Sequence, residues 1–325
     1  MKFLRSTEFI IACVLLAAMI IIGLINPAFW SLDNIFGLLR SNVVIGIMAL
    51  GVLLVMISGG IDVSFTAFAI AGMYLTIRMM VYLGYDGVFI PFVAATLIGL
   101  VLGAFNGFII HRFKMIPLIV TLGTGSIVRG LVLGLVGTSV VNIDKMPKAL
   151  IAFGKTNVVS LTSSFGMTFG LTAMFFVYLA LAFLVHLILN HTMIGRSIYA
   201  YGGSPEAAKR VGFNTWRTIF FVYCLAGALA GFAGILHASM TWLADPRELS
   251  GLVLDVIAAV VLGGASIFGG RGSVTGTLIG VFILVMVKNS LIIMRIDTTW
   301  QGVVVGVIIV VATAITAWRD RKSIA

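Results

Sequence analysis

The stretch VVIGIMALGVLLVMISGGIDVSFTAFAIAGMYLTIRMM, residues 43–80, decides the fold. Two apolar runs, 43–57 and 63–80, are parted by Ser58, Gly59, Gly60, Ile61 and Asp62. Each run approaches the roughly 20 residues that cross a bilayer. A charged side chain at membrane depth is costly and so informative, and glycine-interrupted apolar segments are the best sequence pointer to a transport site. The stretch therefore reads as two short membrane helices joined by a glycine turn.

The same pattern extends outward over the chain. Of 325 residues, 61% are hydrophobic and 10% are charged, whereas soluble proteins are near half apolar and a quarter charged. That excludes a soluble enzyme of two or three domains. Apolar runs give ten candidate spans, at 9–25, 43–57, 63–80, 88–110, 115–136, 167–189, 219–240, 252–268, 274–293 and 302–318. Ten such helices need roughly 200 residues, close to the apolar fraction. The first run follows Lys2 and Arg5 and resembles a signal peptide. Its end, INPAFWSLDN (25–34), has no small-x-small cleavage site, so it reads as an uncleaved first helix.

Charge placement orients the spans. With the N-terminus inside, internal segments hold Lys2, Arg5, Arg112, Lys114, Arg196, Lys209, Arg210, Arg217, Arg271, Arg319, Arg321 and Lys322; external ones hold Arg40, Arg78, Lys145, Lys148, Lys155, Arg247 and Arg295. Three of the external residues sit in one long loop, 137–166, which counts less in the positive-inside rule. Trp30, Trp242 and Trp300 fall near the outer interface, Trp216 and Trp318 near the inner one, as interfacial tryptophans do. The net charge of +10 is thus a topology signal and not a nucleic-acid footprint. The expected fold is an all-α polytopic membrane protein with about ten transmembrane helices and both termini cytoplasmic. Ten spans divide as five plus five, and an odd-numbered repeat inserts its second copy inverted. Spans two, three and eight are short, and each is interrupted by paired glycines or an acid. The second half carries its own glycine breaks, Gly263-Gly264 and Gly269-Gly270-Arg271-Gly272. Close helix packing accounts for most of the 37 glycines.

Several residues carry two readings. Asp62 is a gate residue or a cap for the next helix. Arg129, Asp255 and Lys288, within or at the edges of spans five, eight and nine, form a buried ion pair or touch a solute. Cys13 and Cys224 lie in apolar runs and read as buried small residues. His186, His191 and His237 lack ligand spacing, so no metal site is expected. Nothing matches G-x-x-x-x-G-K-[ST], so the chain itself cannot cradle ATP phosphates, and Gly270-Arg271-Gly272 with Gly276 has the wrong spacing for a dinucleotide fingerprint.

The most informative polar stretch is NHTMIGRSIYAYGGSPEAAKRVGFNTWR, residues 190–217. Ser204 can cap a short helix, Pro205 suits its first turn, Glu206 sits where the helix dipole favours an anion, and Gly212 can end it. Such a helix either docks a soluble partner or is a solvated loop helix with basic ends at lipid head groups.

This stretch, with Gly195, Tyr199-Ala200, Gly202-Gly203, Ala207-Ala208 and Gly212, resembles the ATPase-coupling loop of the ribose/xylose-type permeases, the membrane subunits of ATP-binding-cassette importers for simple sugars. Ser58-Gly59-Gly60-Ile61-Asp62-Val63-Ser64 is similar to that family's SGGIDLS. Ile119-Val120-Thr121-Leu122-Gly123-Thr124 with Arg129-Gly130 is similar to its IVTLGT…RGL. Asp255 to Gly264 resembles its DAIAAVVLGG, and Gly269-Gly270-Arg271-Gly272-Ser273-Val274 its GGRGSV. Two departures stand out: Thr66 replaces a usual glycine, and Val253 replaces a common glutamate.

The resemblance implies one transmembrane permease domain over 1–325, with a cytoplasmic coupling loop at about 190–217 and a periplasmic loop at about 137–166, in a bacterial inner membrane. It implies an ATPase-coupling set of Gly195, Gly202, Gly203, Ser204, Glu206, Ala207, Ala208 and Gly212. It implies a gating or translocation path through Gly59, Gly60, Asp62, Ser64, Thr121, Thr124, Arg129, Asp255, Gly263 and Gly264. The implied partners are a second permease subunit (identical or related), cytoplasmic ATPases that hold the ATP and Mg, a periplasmic sugar-binding protein and membrane lipid, with no cofactor on this chain and no nucleic acid. Relatives of this kind carry ribose, xylose, galactose-type sugars, autoinducer-2 or nucleosides. An ion-coupled secondary transporter is the alternative, since it too could use broken helices with Asp62 or Asp255. An intramembrane enzyme is disfavoured, because no catalytic constellation falls in the spans.

Overall fold

A computed structural model describes residues 7–162, 168–297, 299–304, 306, 307 and 310. It is mostly helical: α1 Thr7–Ile25, α2 Leu32–Ile57, α3 Phe65–Leu83, α4 Phe89–Phe113, α5 Pro117–Leu131, α6 Lys148–Lys155, α7 Ala173–His191, α8 Met193–Gly203, α9 Pro205–Arg210, α10 Thr215–Thr241, α11 Val253–Leu262 and α12 Val274–Ile293. A π turn, Val132–Val136, continues α5. Strands β1 (Asn157–Thr162) and β2 (Thr168–Thr172) pair antiparallel.

Seven helices are long and apolar enough to cross a membrane among the described residues: α2, α3, α4, α5 with its π turn, α7, α10 and α12. The expected ten differ at three places. The first span is α1, whose apolar part, Ile11–Ile25, is shorter than those seven. The eighth, 252–268, is a helix of only ten residues, because Gly263-Gly264 end it. The tenth, 302–318, lies largely outside the described residues, as do Trp318 and the basic residues at both termini. The all-α expectation is also corrected: the loop 137–166 contributes α6 and one strand of the β1–β2 hairpin.

The second span begins at Leu32, well before residue 43. Its polar first half is satisfied internally. Ser31 Oγ caps it by accepting from the Asn34 N–H, Asn42 Nδ2 donates to the Leu38 carbonyl, and Arg40 donates to the Met240 carbonyl at 2.7 Å. Side chains that look like loop are therefore buried or tied down, which removes the cost of carrying them in a membrane helix.

The core is built around α10, which packs on α4, α3 and α2 along glycine seams. A Cβ at Gly99 would stand 2.1 Å from the Gly227 carbonyl oxygen, one at Gly103 2.1 Å from that of Tyr223, and one at Gly231 2.1 Å from that of Ala95. Small residues four apart let helix backbones touch, which is how helices associate where lipid offers no hydrophobic drive. On the α2 side, Gly51 meets Ala226 in the same manner. α2 and α10 are the longest helices, of 26 and 27 residues.

Candidate site at the two broken helix pairs

The first break joins α2 to α3. It closes α2 with a left-handed glycine: Gly59 has φ +82°, and the Gly60 N–H reaches back to the Val55 carbonyl at 3.0 Å. Only glycine takes this conformation without strain. Asp62 then turns inward and is buried. Its Oδ1 accepts from the Ser64 N–H at 2.7 Å and from the Ser64 hydroxyl at 2.6 Å. The cap reading of Asp62 thus has a geometric basis, since Ser64 heads α3 without capping it through its own side chain. Ser64 has given its only proton to Asp62, so it must accept from Asn106 Nδ2, 3.0 Å away on α4. On the other side, Thr121 Oγ1 of α5 accepts from the Val63 N–H and lies 3.3 Å from the Ile61 carbonyl. Gly125, one turn on, lets α5 approach Ser64 closely. The first break is therefore strapped by side chains to α4 and α5.

The second break joins α11 to α12 and opens in the same way. Gly264 has φ +86°, and the Ala265 N–H returns to the Val260 carbonyl at 3.2 Å. Within the turn the Ser266 hydroxyl accepts from the Phe268 N–H at 3.2 Å. The Ser266 N–H donates to the Arg271 carbonyl at 3.0 Å, and Gly269 and Gly270 also have positive φ. Gly263 rests directly on Gly276 of α12.

Both breaks meet at α8. The Gly270 N–H donates to the Ile57 carbonyl at 2.8 Å, so a residue of the second break satisfies an open C-terminal carbonyl of α2. Gly202, near the end of α8, lies against both: a Cβ there would be 1.7 Å from the Ile57 oxygen and 2.7 Å from the Gly270 nitrogen. A Cβ on Gly269 would be 2.6 Å from the Gly202 oxygen and 2.8 Å from Gly59 Cα. The Tyr199 hydroxyl donates to the Gly272 carbonyl at 2.8 Å. Three backbones cross here with no side chain between them.

α8 leads straight into α9. The Ser204 hydroxyl accepts from the Ala207 N–H at 3.2 Å, Pro205 takes the first position, and Glu206 lies in the first turn, as the sequence suggests. Ala208 is buried, while Glu206, Ala207, Lys209, Arg210 and Val211 are exposed. Gly212 ends the helix at φ +89° with open space around it. Gly203 is likewise exposed, and Gly195 makes the tight corner from α7 into α8 against the Ile188 and Leu189 carbonyls.

The charged trio separates. Lys288 Nζ bonds Asp255 Oδ2 at 2.6 Å, clamping α12 to α11. Arg129 does not join them: it is half-buried on α5, and its Nε has no partner among the described residues. The Thr124 hydroxyl donates to the Val120 carbonyl of its own helix at 3.0 Å. Sequence reasoning missed Asn106, whose signal was a lone amide inside an apolar run, and the buried hydroxyl of Tyr223, which faces Gly60. It placed Tyr199 within the coupling-loop resemblance but not at the crossing, since a crossing of distant backbones leaves no local pattern.

Comparison with known proteins gives the family. The family model described as the branched-chain amino acid transport system / permease component matches residues 34–313. The ribose import permease protein RbsC of Haemophilus influenzae is 34% identical over 99% of this chain and 96% of its own length. RbsC of Escherichia coli K12 is 32% identical over 93% of this chain and 91% of its own. The autoinducer 2 import system permease protein LsrC of Yersinia pseudotuberculosis is 31% identical over 89% of this chain and 78% of its own. No match to the chain is found among the solved structures. The chain belongs to this family of transport permeases: it is a multi-pass membrane protein and not an enzyme.

Proposed function

We propose that this permease is the membrane subunit of an ATP-driven importer that carries a monosaccharide or a similar small polar solute across the bacterial inner membrane. The observation that carries the reading is the α8–α9 arm. Its outer helix is exposed and polar, and its inner end is in backbone contact with both helix breaks. The whole-length likeness to ribose and autoinducer-2 import permeases supports the solute class.

In this reading α9 faces the cytoplasm and docks an ATPase subunit through Glu206, Ala207 and the turn at Gly212. ATP and Mg reside on that partner, and this chain binds neither. Motion of α9 reaches α8, and from there the second break through Gly202 and Tyr199 and the first through the end of α2. Gly59, Gly60, Asp62, Ser64 and Thr121 on one side, and Gly263 and Gly264 on the other, are then hinge and gate elements. Asp255 positions α11 by its pairing with Lys288.

A second permease copy or a related subunit faces α5. Supporting this, Gly123 and Gly130 of α5 and Gly134 of its π turn have open space beside them. A substrate-binding protein delivers solute at the opposite end, where α6 and the hairpin lie. The five-plus-five inverted repeat is supported by α2 and α10, the second helix of each half. They are the two longest and most buried spans; α2 ends at the α8 crossing, whereas α10 begins beside α8, where the Thr218 hydroxyl donates to Ser197.

The test is uptake of labelled ribose and xylose into proteoliposomes holding the permease, its ATPase and its binding protein. Uptake should require ATP and persist when ion gradients are collapsed. Uptake driven by an imposed H⁺ or Na⁺ gradient without ATP would overturn the reading. Ligand-induced melting shifts of the binding protein would identify the solute.

A further inference from the structure

At the end of the molecule away from α9 lies an open cleft of about 530 Å³, walled by α4, α7 and α10 and roofed by α6. Phe92 is its centre, with the Phe153 ring 5.5 Å away edge-on and the Phe232 ring 5.1 Å away. Leu97 of α4 and Val177 of α7 also line it. The one lining hydroxyl, on Thr96, donates to the Phe92 carbonyl at 2.7 Å, so the wall offers a ligand no free hydrogen-bond donor. A sugar would lose its hydrogen bonds to water here and regain none. The cleft suits hydrocarbon.

The roof gives the ligand its other half. α6 is amphipathic: Leu150 and Ile151 are buried, Phe153 points to the cleft, and Lys148 and Lys155 are exposed at its two ends. The helix is fixed in place. Gly154 seats on the Ser239 carbonyl of α10, and the Ala149 N–H donates to Asp86 at 2.7 Å in the turn leading to Val88 and Phe89. Lys155 Nζ stands 4.5 Å from the centre of the Trp242 ring, the pairing expected at a membrane interface. The segment 137–166 holds Lys145, Lys148 and Lys155 against the single acid Asp144. An apolar cleft beneath a basic interfacial helix matches an acyl chain beneath a phosphate.

We propose that this cleft holds one acyl chain of an anionic glycerophospholipid, with the phosphate on Lys148 and Lys155, as a fixed lipid of the permease. The site shares no residue with the α8 crossing, and its test reads binding, so it stands or falls apart from the transport reading.

The test is native mass spectrometry of the full chain, purified in detergent, stripped of bulk lipid and offered phosphatidylglycerol or phosphatidylcholine. Wild type should retain one phosphatidylglycerol per chain, with about tenfold preference over phosphatidylcholine. Lys148→Glu with Lys155→Glu should abolish the preference, and Leu97→Trp, which fills the cleft, should abolish retention. Val177→Trp fills the cleft from the other wall and serves if Leu97→Trp lowers the melting temperature. The proposal is overturned if wild type keeps no stoichiometric lipid, if a folded cleft-filling variant keeps it, if the two lipids are held equally, or if chains associate through this face in its place.

Discussion

The two helix breaks begin alike and are finished differently. Each closes its first helix with a left-handed glycine and a bond back five residues, from Gly60 to Val55 and from Ala265 to Val260. Beyond that point the first is fastened by side chains: Asp62 to Ser64, Ser64 to Asn106 on α4, and Thr121 on α5. The second is fastened through its own backbone groups: the Ser266 N–H to the Arg271 carbonyl within the turn, the Gly270 N–H to the Ile57 carbonyl of α2, and the Gly272 carbonyl to the Tyr199 hydroxyl of α8. The first break therefore moves with α4 and α5, whereas the second takes its position from α2 and α8. A pull on α8 reaches the second break directly and the first through the end of α2.

The largest effect should come from Gly202→Val, which puts carbon into the crossing where only 1.7 Å is free. Overpacking of this kind costs about 1–3 kcal/mol or more and shifts backbone. Uptake should fall below about a tenth of wild type while the ATPase still binds, as measured by flux and co-purification. Next is Lys288→Ala, which strands a buried carboxylate at Asp255. Breaking such a pair costs about 3 kcal/mol, seen as a lowered melting temperature that the double variant Asp255→Asn, Lys288→Gln largely restores.

Asn106→Leu sharpens the contrast between the breaks. It should cost about 1–2 kcal/mol and raise the reactivity of a cysteine placed at Val63, with no change at one placed at Ile267. Tyr199→Phe should do the reverse. Losing one hydrogen bond costs about 1 kcal/mol, and the readout is more ATP hydrolysed per solute imported. The smallest effect belongs to Ser204→Ala, about 1 kcal/mol of cap energy confined to α9, measured as weaker ATPase binding with unchanged melting of the membrane body.

Much of this was legible in the chain. Hydropathy located the membrane helices because lipid admits few other backbones, and α12 falls at 274–293 as expected. Ser204, Pro205 and Gly212 announced α9 because capping is local chemistry. The extent of α2 was hidden: Arg40 and Asn42 look like loop until the Met240 and Leu38 carbonyls that receive them are known. The trio of charges was half legible, since sequence shows which residues need partners and not that Lys288 reaches Asp255 while Arg129 does not. The α8 crossing was hidden for the same reason. Gly59, Gly202 and Gly269 are far apart in the chain, and their meeting depends on how four helices close.

The seam between α4 and α10 has a mechanical consequence. Side-chain interfaces can slip by exchanging one set of knobs and holes for the next, but here Gly99, Gly103, Gly227 and Gly231 bring main chain against main chain over several turns. Sliding by a residue would bring Ala226 or Ala228, and Ala230 or Phe232, to places where a Cβ stands about 2 Å from a carbonyl oxygen. The two helices thus behave as a single stiff spar, and shape change during a transport cycle must be taken up by the short pieces at its ends.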